Sequence, residues 1–285
     1  MDGGLIITFI SVAMFVGSFL LGFIPLLFQL SSPSWGAGLL CGTALAITIP
    51  EGVGLLEDSW KGEQENLSKA LSVLHLPGLP PRFFIGVALT LGFTFMFVVD
   101  QLGSYLSTRG NIHFTATLGL VIHAAADGFA LGAAVATGQV TVQVVVFFAV
   151  ILHKAPAAFG LVSFLMHGGL EKKFIQGHLL AFSAAAPIVA IATYFILYAS
   201  GSSSENQLSA TGVGMLFSAG TFLYVATVHV LPEVSSSRTD ELPLDSEQQS
   251  GAEAHQQRHL GFLESLTLII GVGLPMLLAL GVHDD

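Results

Sequence analysis

Long apolar stretches alternate with short polar ones along almost the whole chain. Eight stretches stay apolar over about 20 residues, the length that an α-helix needs to cross about 30 Å of hydrocarbon. They cover residues 5–28, 35–56, 83–103, 114–138, 141–167, 178–199, 208–232 and 262–282. Only helices and closed barrels satisfy the backbone in lipid, and these stretches lack the alternation of barrel strands. The pattern predicts an all-α, polytopic membrane protein with eight transmembrane helices.

The polar segments between the predicted helices are short except for residues 57–82 and 234–260. The first ends in LPGLPPR, and the second is rich in Ser, Gln and acidic residues. Neither composition is typical of a folded soluble domain. We therefore expect a single transmembrane domain over residues 1–285 with two polar loops.

Composition agrees with a protein that lies in a lipid bilayer. Of the 285 residues, 53% are apolar and 10% are charged, whereas a soluble domain carries about 25% charged residues. The net charge of −10 argues against a nucleic-acid partner. Cys41 is the single cysteine, so an intrachain disulfide is excluded.

The basic residues of the loops suggest an orientation. Five of them fall on one side of the eight-helix layout and three on the other, which favours both termini lying outside the cytoplasm. Asn66 begins the glycosylation sequence Asn66-Leu67-Ser68, in a loop that this layout also places outside. The two signals agree, and Asn66 is a glycosylation candidate.

The second and seventh predicted helices share a short pattern. GTALAITIPEG occupies residues 42–52 and GTFLYVATVHVLPEV occupies residues 220–234, each with a Gly-Thr pair several residues before a Pro-Glu pair. These helices cross in opposite directions, as inverted repeats of transporters do. We predict an inverted repeat that relates helices one to three to helices six to eight. Chance similarity between two helices rich in small residues is the alternative.

Few charged or imidazole side chains lie within the predicted helices, where they are costly in energy and mark function by default. Glu51 and Glu233 lie near helix ends, from which a side chain can reach the interface. The charged and imidazole side chains selected in the fourth and fifth helices lie near the middle of the membrane. The residues selected on this ground are Glu51, His123, Asp127, His153, Lys154, His229 and Glu233.

HAAADG, residues 123–128, places His123 and Asp127 four residues apart. They share one helix face, with Cβ atoms about 5–6 Å apart. The short turn around Gly138 makes the fourth and fifth helices antiparallel neighbours, so His153 comes to a similar depth. Two imidazoles and a carboxylate form a typical site for a divalent ion, zinc above others. Three protein ligands leave one position open, so the ion can exchange.

The residues around this predicted site are small. Ala124, Gly128 and Gly132 allow close helix approach and leave room for an ion path. Pro156 frees the carbonyl of Leu152, which is a candidate further ligand.

Two alternative interpretations involve neighbouring charges. In the first, Asp127 and Lys154 form only a structural ion pair; in the second, His229 is a hydrogen-bonded packing residue.

These residues resemble the ZIP family of divalent-metal transporters. The family has a His-Asn-x-x-Asp/Glu-Gly motif in the fourth helix, where this chain has HAAADG, residues 123–128. It has a His/Gln-x-x-Pro-Glu/His-x-Gly-like motif in the fifth, where this chain has HKAPAAFG, residues 153–160. The flanking stretches GAGLLCGTALAITIPEGV and LFSAGTFLYVATVHVLPEV are similar as well, and the resemblance covers the whole eight-helix layout.

The resemblance implies zinc transport by alternating access through a ZIP-type bundle, and no enzymatic activity. It implies that zinc moves into the cytoplasm from the Golgi lumen, including the trans-Golgi network, or from the cell exterior. A homodimer is also implied. His123, Asp127 and His153 would bind the transported Zn²⁺, with Glu51, His229 and Glu233 along the path.

Many ZIP proteins hold a second metal beside the first, and this chain departs from that pattern. Ala124, Lys154 and Ala157 stand where ligands of the second metal would be. The Lys154 ammonium would take the place of the second cation and pair with Asp127 when no metal is bound. We therefore expect a mononuclear site.

Two functions of other classes remain open at this point. A membrane-embedded zinc-dependent hydrolase would use the same His and Asp residues to activate water, with His229 as a third histidine. A ligand-sensing receptor without transport has no motif in its favour. The His/Asp ligand set also tolerates iron, manganese and cadmium.

Overall fold

The computed structural model describes residues 3–28, 33–58, 81–106, 112–201, 204–232 and 262–283. All regular structure within these ranges is helical, which confirms the predicted all-α class. We number the helices α1 (Gly3–Phe28), α2 (33–58), α3 (Pro81–Leu106), α4 (Ile112–Ala136), α5 (Val140–His167), α6 (Lys172–Ser200), α7 (204–232) and α8 (Phe262–His283).

Helices α1 to α7 are each long and apolar enough to cross a membrane, and α8 adds a shorter apolar segment over Leu263–Leu277. The chain is thus a multi-pass membrane protein. Helix α6 begins at Lys172, six residues before the apolar stretch that starts at 178. A helix can continue past the hydrocarbon into the polar interface, where lysine side chains reach water.

Helices α4 and α7 form the centre of the bundle. In their most apolar stretches 67% and 72% of the residues are buried, against 17% in α3. The outer helices expose large apolar side chains such as Phe9, Leu91 and Ile196. Hydrocarbon rather than water suits such surfaces, so the buried polar groups on α4 and α7 lie away from lipid.

The packing of the helices follows a symmetric scheme. Helix α2 packs along α8 and α3 along α7, while α1 packs along α5 and α4 along α6. An inverted repeat matches α1 with α6, α2 with α7, α3 with α8, and α4 with α5. When each helix is replaced by its match, the α2–α8 pair becomes the α7–α3 pair, and the α1–α5 pair becomes the α6–α4 pair. This is the arrangement expected for the predicted inverted repeat.

Helices α2 and α7 also share an irregular feature. Each contains a π-helical turn, Ala44–Thr48 in α2 and Val225–Val230 in α7. Each turn follows shortly after the Gly-Thr pair that the two helices have in common. Single π-helical turns inside α-helices are rare and often lie at functional sites. Their matching positions favour a true repeat over chance similarity.

Glycines allow two of these helix pairs to come very close. In α3 and α7, Gly92 lies against the backbone of Phe217, and Gly220 lies against the backbone of Leu89. In α2 and α8, Gly42 lies against the backbone of Val272. A Cβ atom at any of these glycines would overlap the facing backbone, so the close contacts depend on the missing side chain.

Candidate metal centre

The turn between α4 and α5 positions the candidate site. Thr137 to Gln139 connect the two helices, and Gly138 has φ 70°, a left-handed conformation that glycine adopts without strain. The two helices therefore run antiparallel side by side. This brings His153 of α5 to the depth of Asp127 in α4.

His123, Asp127 and His153 meet in the interior of the bundle. The Asp127 Oδ2 atom lies 2.9 Å from His153 Nε2 and 3.3 Å from His123 Nε2. One ligand atom from each residue lies within 4.8 Å of the others, and no other such group of three occurs among the described residues. All three residues are at most 1% exposed. The structure thus brings together the three residues selected from the sequence.

The ring nitrogens that face this centre differ in their contacts. His153 Nε2 is hydrogen-bonded to Asp127 Oδ2, whereas His123 Nε2 is buried and has no hydrogen-bond partner. The His123 ring stacks on Phe222 of α7, with ring centroids 4.3 Å apart and planes 10° apart. His123 is therefore held in orientation while its Nε2 atom stays available to a ligand.

Ser218 of α7 is part of this centre, and the sequence analysis missed it. Its hydroxyl donates a hydrogen bond to Asp127 Oδ1, and its Oγ atom lies 2.7 Å from His123 Nδ1. Ser218 is completely buried. Serine is common in membrane helices and packs easily there, so the sequence around it carries no distinguishing signal.

Lys154 is buried beside the centre but does not bind Asp127. Its Nζ atom lies 3.4 Å from the Phe182 carbonyl oxygen of α6 and 4.8 Å from the centroid of the Phe182 ring. The carboxylate of Asp127 is paired with the two imidazoles instead. The expected ion pair between Lys154 and Asp127 is thus wrong for this conformation. Successive helical residues point about 100° apart, so Lys154 and His153 face different neighbours.

The remaining predicted residues are not ligands of the cluster, or they lie outside the described part of the chain. Glu51 is partly buried in α2 just after the π-helical turn, and Pro156 lies inside α5 one turn after His153. Neither Glu51 nor His229 belongs to the group of three ligand residues. Glu233 and Asn66 lie outside the described residues.

His229 belongs to a second polar cluster, between α7 and α3. Its Nε2 atom lies 3.2 Å from Asp100 Oδ1, and the Tyr224 hydroxyl donates a 2.9 Å hydrogen bond to Asp100 Oδ2. Asp100 was missed in the sequence although it is a carboxylate within a predicted helix, which is a usable signal. His229 is therefore paired with Asp100 outside the first cluster, and the third histidine that a hydrolase would require is not supplied by it.

The bundle and its cluster define a class of protein, a multi-pass membrane protein with a candidate metal site buried among its helices. The family model described as ZIP zinc transporter matches residues 106–279. This chain belongs to the ZIP zinc transporter family, as the HAAADG and HKAPAAFG motifs predict.

Several curated relatives are similar to this chain. The zinc transporter ZIP9 of Xenopus tropicalis is 44% identical over 309 residues, covering 99% of each chain. The zinc transporter ZIP9 of Micropogonias undulatus is 44% identical over 317 residues, covering 99% of this chain and 100% of that protein. The zinc transporter SLC39A7 of Mus musculus is 30% identical over 182 residues, covering 63% of this chain and 33% of that protein.

Proposed function

We propose that the chain transports zinc across a membrane and binds the ion through His123, Asp127 and His153. The observation that carries this proposal is the meeting of three ligand-type side chains from two helices, within 4.8 Å and away from lipid and water. Two imidazoles and a carboxylate match zinc in charge and softness. Membership of the ZIP family and near full-length similarity to zinc transporters support zinc as the substrate.

Transport requires that the buried centre open in turn to each side of the membrane. In this conformation the three ligands are at most 1% exposed, so an ion held there is closed off from both sides. Three protein ligands leave a fourth position for water, and this open position allows the ion to enter and leave. Glu51, His229 and Glu233 are proposed as residues of the path to and from the centre.

We propose one zinc ion per chain at this centre. Ala124 and Ala157 offer no ligand atoms, and the Lys154 ammonium lies close by on Phe182. A buried ammonium next to the centre repels a second dication. Calorimetry on the purified protein should find one tight zinc site, and two tight sites would contradict this proposal.

We further propose a direction and a cellular location for zinc transport. The charge bias of the loops supports both termini outside the cytoplasm, with zinc moving into the cytoplasm from the Golgi lumen or the cell exterior. Asn66 would then be open to glycosylation in the 57–82 loop. A homodimer is proposed on the family resemblance.

Zinc flux into proteoliposomes of the purified protein tests the function. A transporter moves zinc without any other substrate, whereas a zinc-dependent hydrolase does not. Asp127→Asn and His153→Ala each remove a ligand and should abolish flux, because even loss of an outer hydrogen-bond partner weakens metal binding by about 10–100-fold. Wild-type flux in both variants, at equal amounts of reconstituted protein, would refute the site.

Ser183→Ala provides a matched control for these variants. Ser183 is a completely buried residue of α6 whose hydroxyl has no hydrogen-bond partner among the described residues. Its replacement changes a small buried side chain without removing a ligand. Flux should stay at the wild-type level.

A further inference from the structure

Ser218 connects α7 to a metal centre whose ligands all come from α4 and α5. Its Oγ atom lies 2.7 Å from His123 Nδ1 and is hydrogen-bonded to Asp127 Oδ1. The Ser218 carbonyl oxygen lies 3.2 Å from the same His123 Nδ1, and the His123 carbonyl oxygen lies 3.3 Å from Ser218 Oγ. The serine therefore contacts the two α4 ligands on the side away from the metal position.

Counting the available protons identifies which nitrogen of the His123 ring carries a proton. Each short contact, from Ser218 Oγ to Asp127 Oδ1 and to His123 Nδ1, needs one proton between its two atoms. The serine hydroxyl supplies only one, and an ionised carboxylate only accepts. The hydroxyl therefore donates to Asp127, and the second proton is carried by His123 Nδ1, which donates to Ser218.

This state leaves the lone pair of His123 on Nε2. That atom has no hydrogen-bond partner and lies 3.3 Å from Asp127 Oδ2. Two acceptor atoms facing each other repel, and a cation between them relieves the repulsion. Hydrogen bonds to the far nitrogen fix ring orientation and tautomer in this way in many metal sites.

Resting on the proposed function, we infer that Ser218 is a positioning residue that fixes His123 as the Nδ1–H tautomer and aims Nε2 at the transported zinc. Phe222, one helical turn further along α7, stacks on the same imidazole ring. Helix α7 thus holds His123 at two points. The complete zinc site exists only while α7 is packed against α4, so movement of α7 would weaken zinc binding.

Zinc affinity and transport kinetics of serine variants test this inference. Ser218→Ala should raise the zinc Kd of the purified full chain by about 10–100-fold. In proteoliposome flux it should raise the KM for zinc more than it lowers the maximal rate. Ser218→Thr keeps a hydroxyl and should retain most of the affinity, and Ser183→Ala should bind as the wild type does.

Several outcomes would overturn the inference. Wild-type affinity in Ser218→Ala would show that the hydroxyl does not position the ring. An equal loss in Ser218→Thr and Ser218→Ala would assign the effect to packing rather than to the hydroxyl. Failure of the wild-type protein to bind or move zinc would instead remove the proposed function on which the inference rests.

The ring state can also be measured directly, which keeps the inference testable if Ser218→Ala does not fold. Nitrogen-15 NMR of zinc-free protein, with His123 assigned by its absence in His123→Ala, distinguishes the two tautomers. A protonated Nδ1 and a bare Nε2 are expected in the wild type. The opposite tautomer would overturn the inference.

Discussion

Gly128 allows α4 to lie against α6 directly beside the metal centre, so Gly128→Ala is a sharp test of how the site is held. A Cβ atom built at Gly128 lies 2.9 Å from Ala186 Cα and 3.0 Å from the Ala186 carbonyl carbon. Carbon atoms pack at about 3.5–4.0 Å. Because the obstacle is backbone, and the Ala186 carbonyl oxygen lies closer still, α4 and α6 must separate by roughly 1 Å.

The cost of this separation falls on both stability and binding. Overpacking of this kind destabilises a folded protein by about 1–3 kcal/mol. Gly128 follows Asp127 directly, so a shift of α4 carries Asp127 and His123 away from His153 of α5. Metal–ligand distances tolerate only about 0.2 Å. If binding zinc must reverse the shift, the same 1–3 kcal/mol corresponds to a zinc affinity lower by about 5–150-fold.

Denaturant unfolding in detergent and zinc calorimetry measure the two effects. Gly177→Ala is the matched control, because Gly177 lies in α6 and a Cβ atom there would have no neighbour within 4 Å. That control should be neutral or more stable by up to about 1 kcal/mol, since alanine favours a helix over glycine. If Gly128→Ala matches Gly177→Ala in both measurements, the argument from close backbone contact is refuted.

Two aromatic contacts give further predictions. Phe222→Leu removes the ring that stacks on His123 and should weaken zinc binding by about 2–10-fold, since aromatic stacking contributes about 0.5–1.5 kcal/mol; calorimetry with Phe148→Leu, which is 52% exposed, as control checks this, and equal affinities would contradict it. Tyr224→Phe removes the hydrogen bond to Asp100 and should lower the free energy of unfolding by about 1–3 kcal/mol. A double-mutant cycle with Asp100→Asn measures that coupling, and strictly additive losses would exclude it.

The sequence was sufficient for the parts of the site that depend on local geometry. His123 and Asp127 share a helix face because they are four residues apart. His153 meets them because the turn at Gly138 is short, which sets the relative depth of α4 and α5. The helical class followed equally directly from apolar stretches of membrane-spanning length.

The rest depended on contacts between residues far apart in the chain. Ser218 lies 95 residues from His123 and 91 from Asp127, and no local pattern specifies which face of α7 meets α4. The predicted partner of Lys154 was wrong for a related reason. Opposite charge suggested Asp127 as its partner, but the direction of the side chain from α5 leads to Phe182 of α6.

The close fit of α3 with α7, and of α2 with α8, limits how the bundle can change shape. One helical turn before and after Gly92, on the same face of α3, lie the buried side chains of Ala88 and Met96. Sliding one helix along the other by a turn, about 5.4 Å, would press such a side chain into the opposite backbone. We expect each pair to travel as one rigid piece, with the hinges and sliding surfaces of the transport cycle at the borders between the pairs.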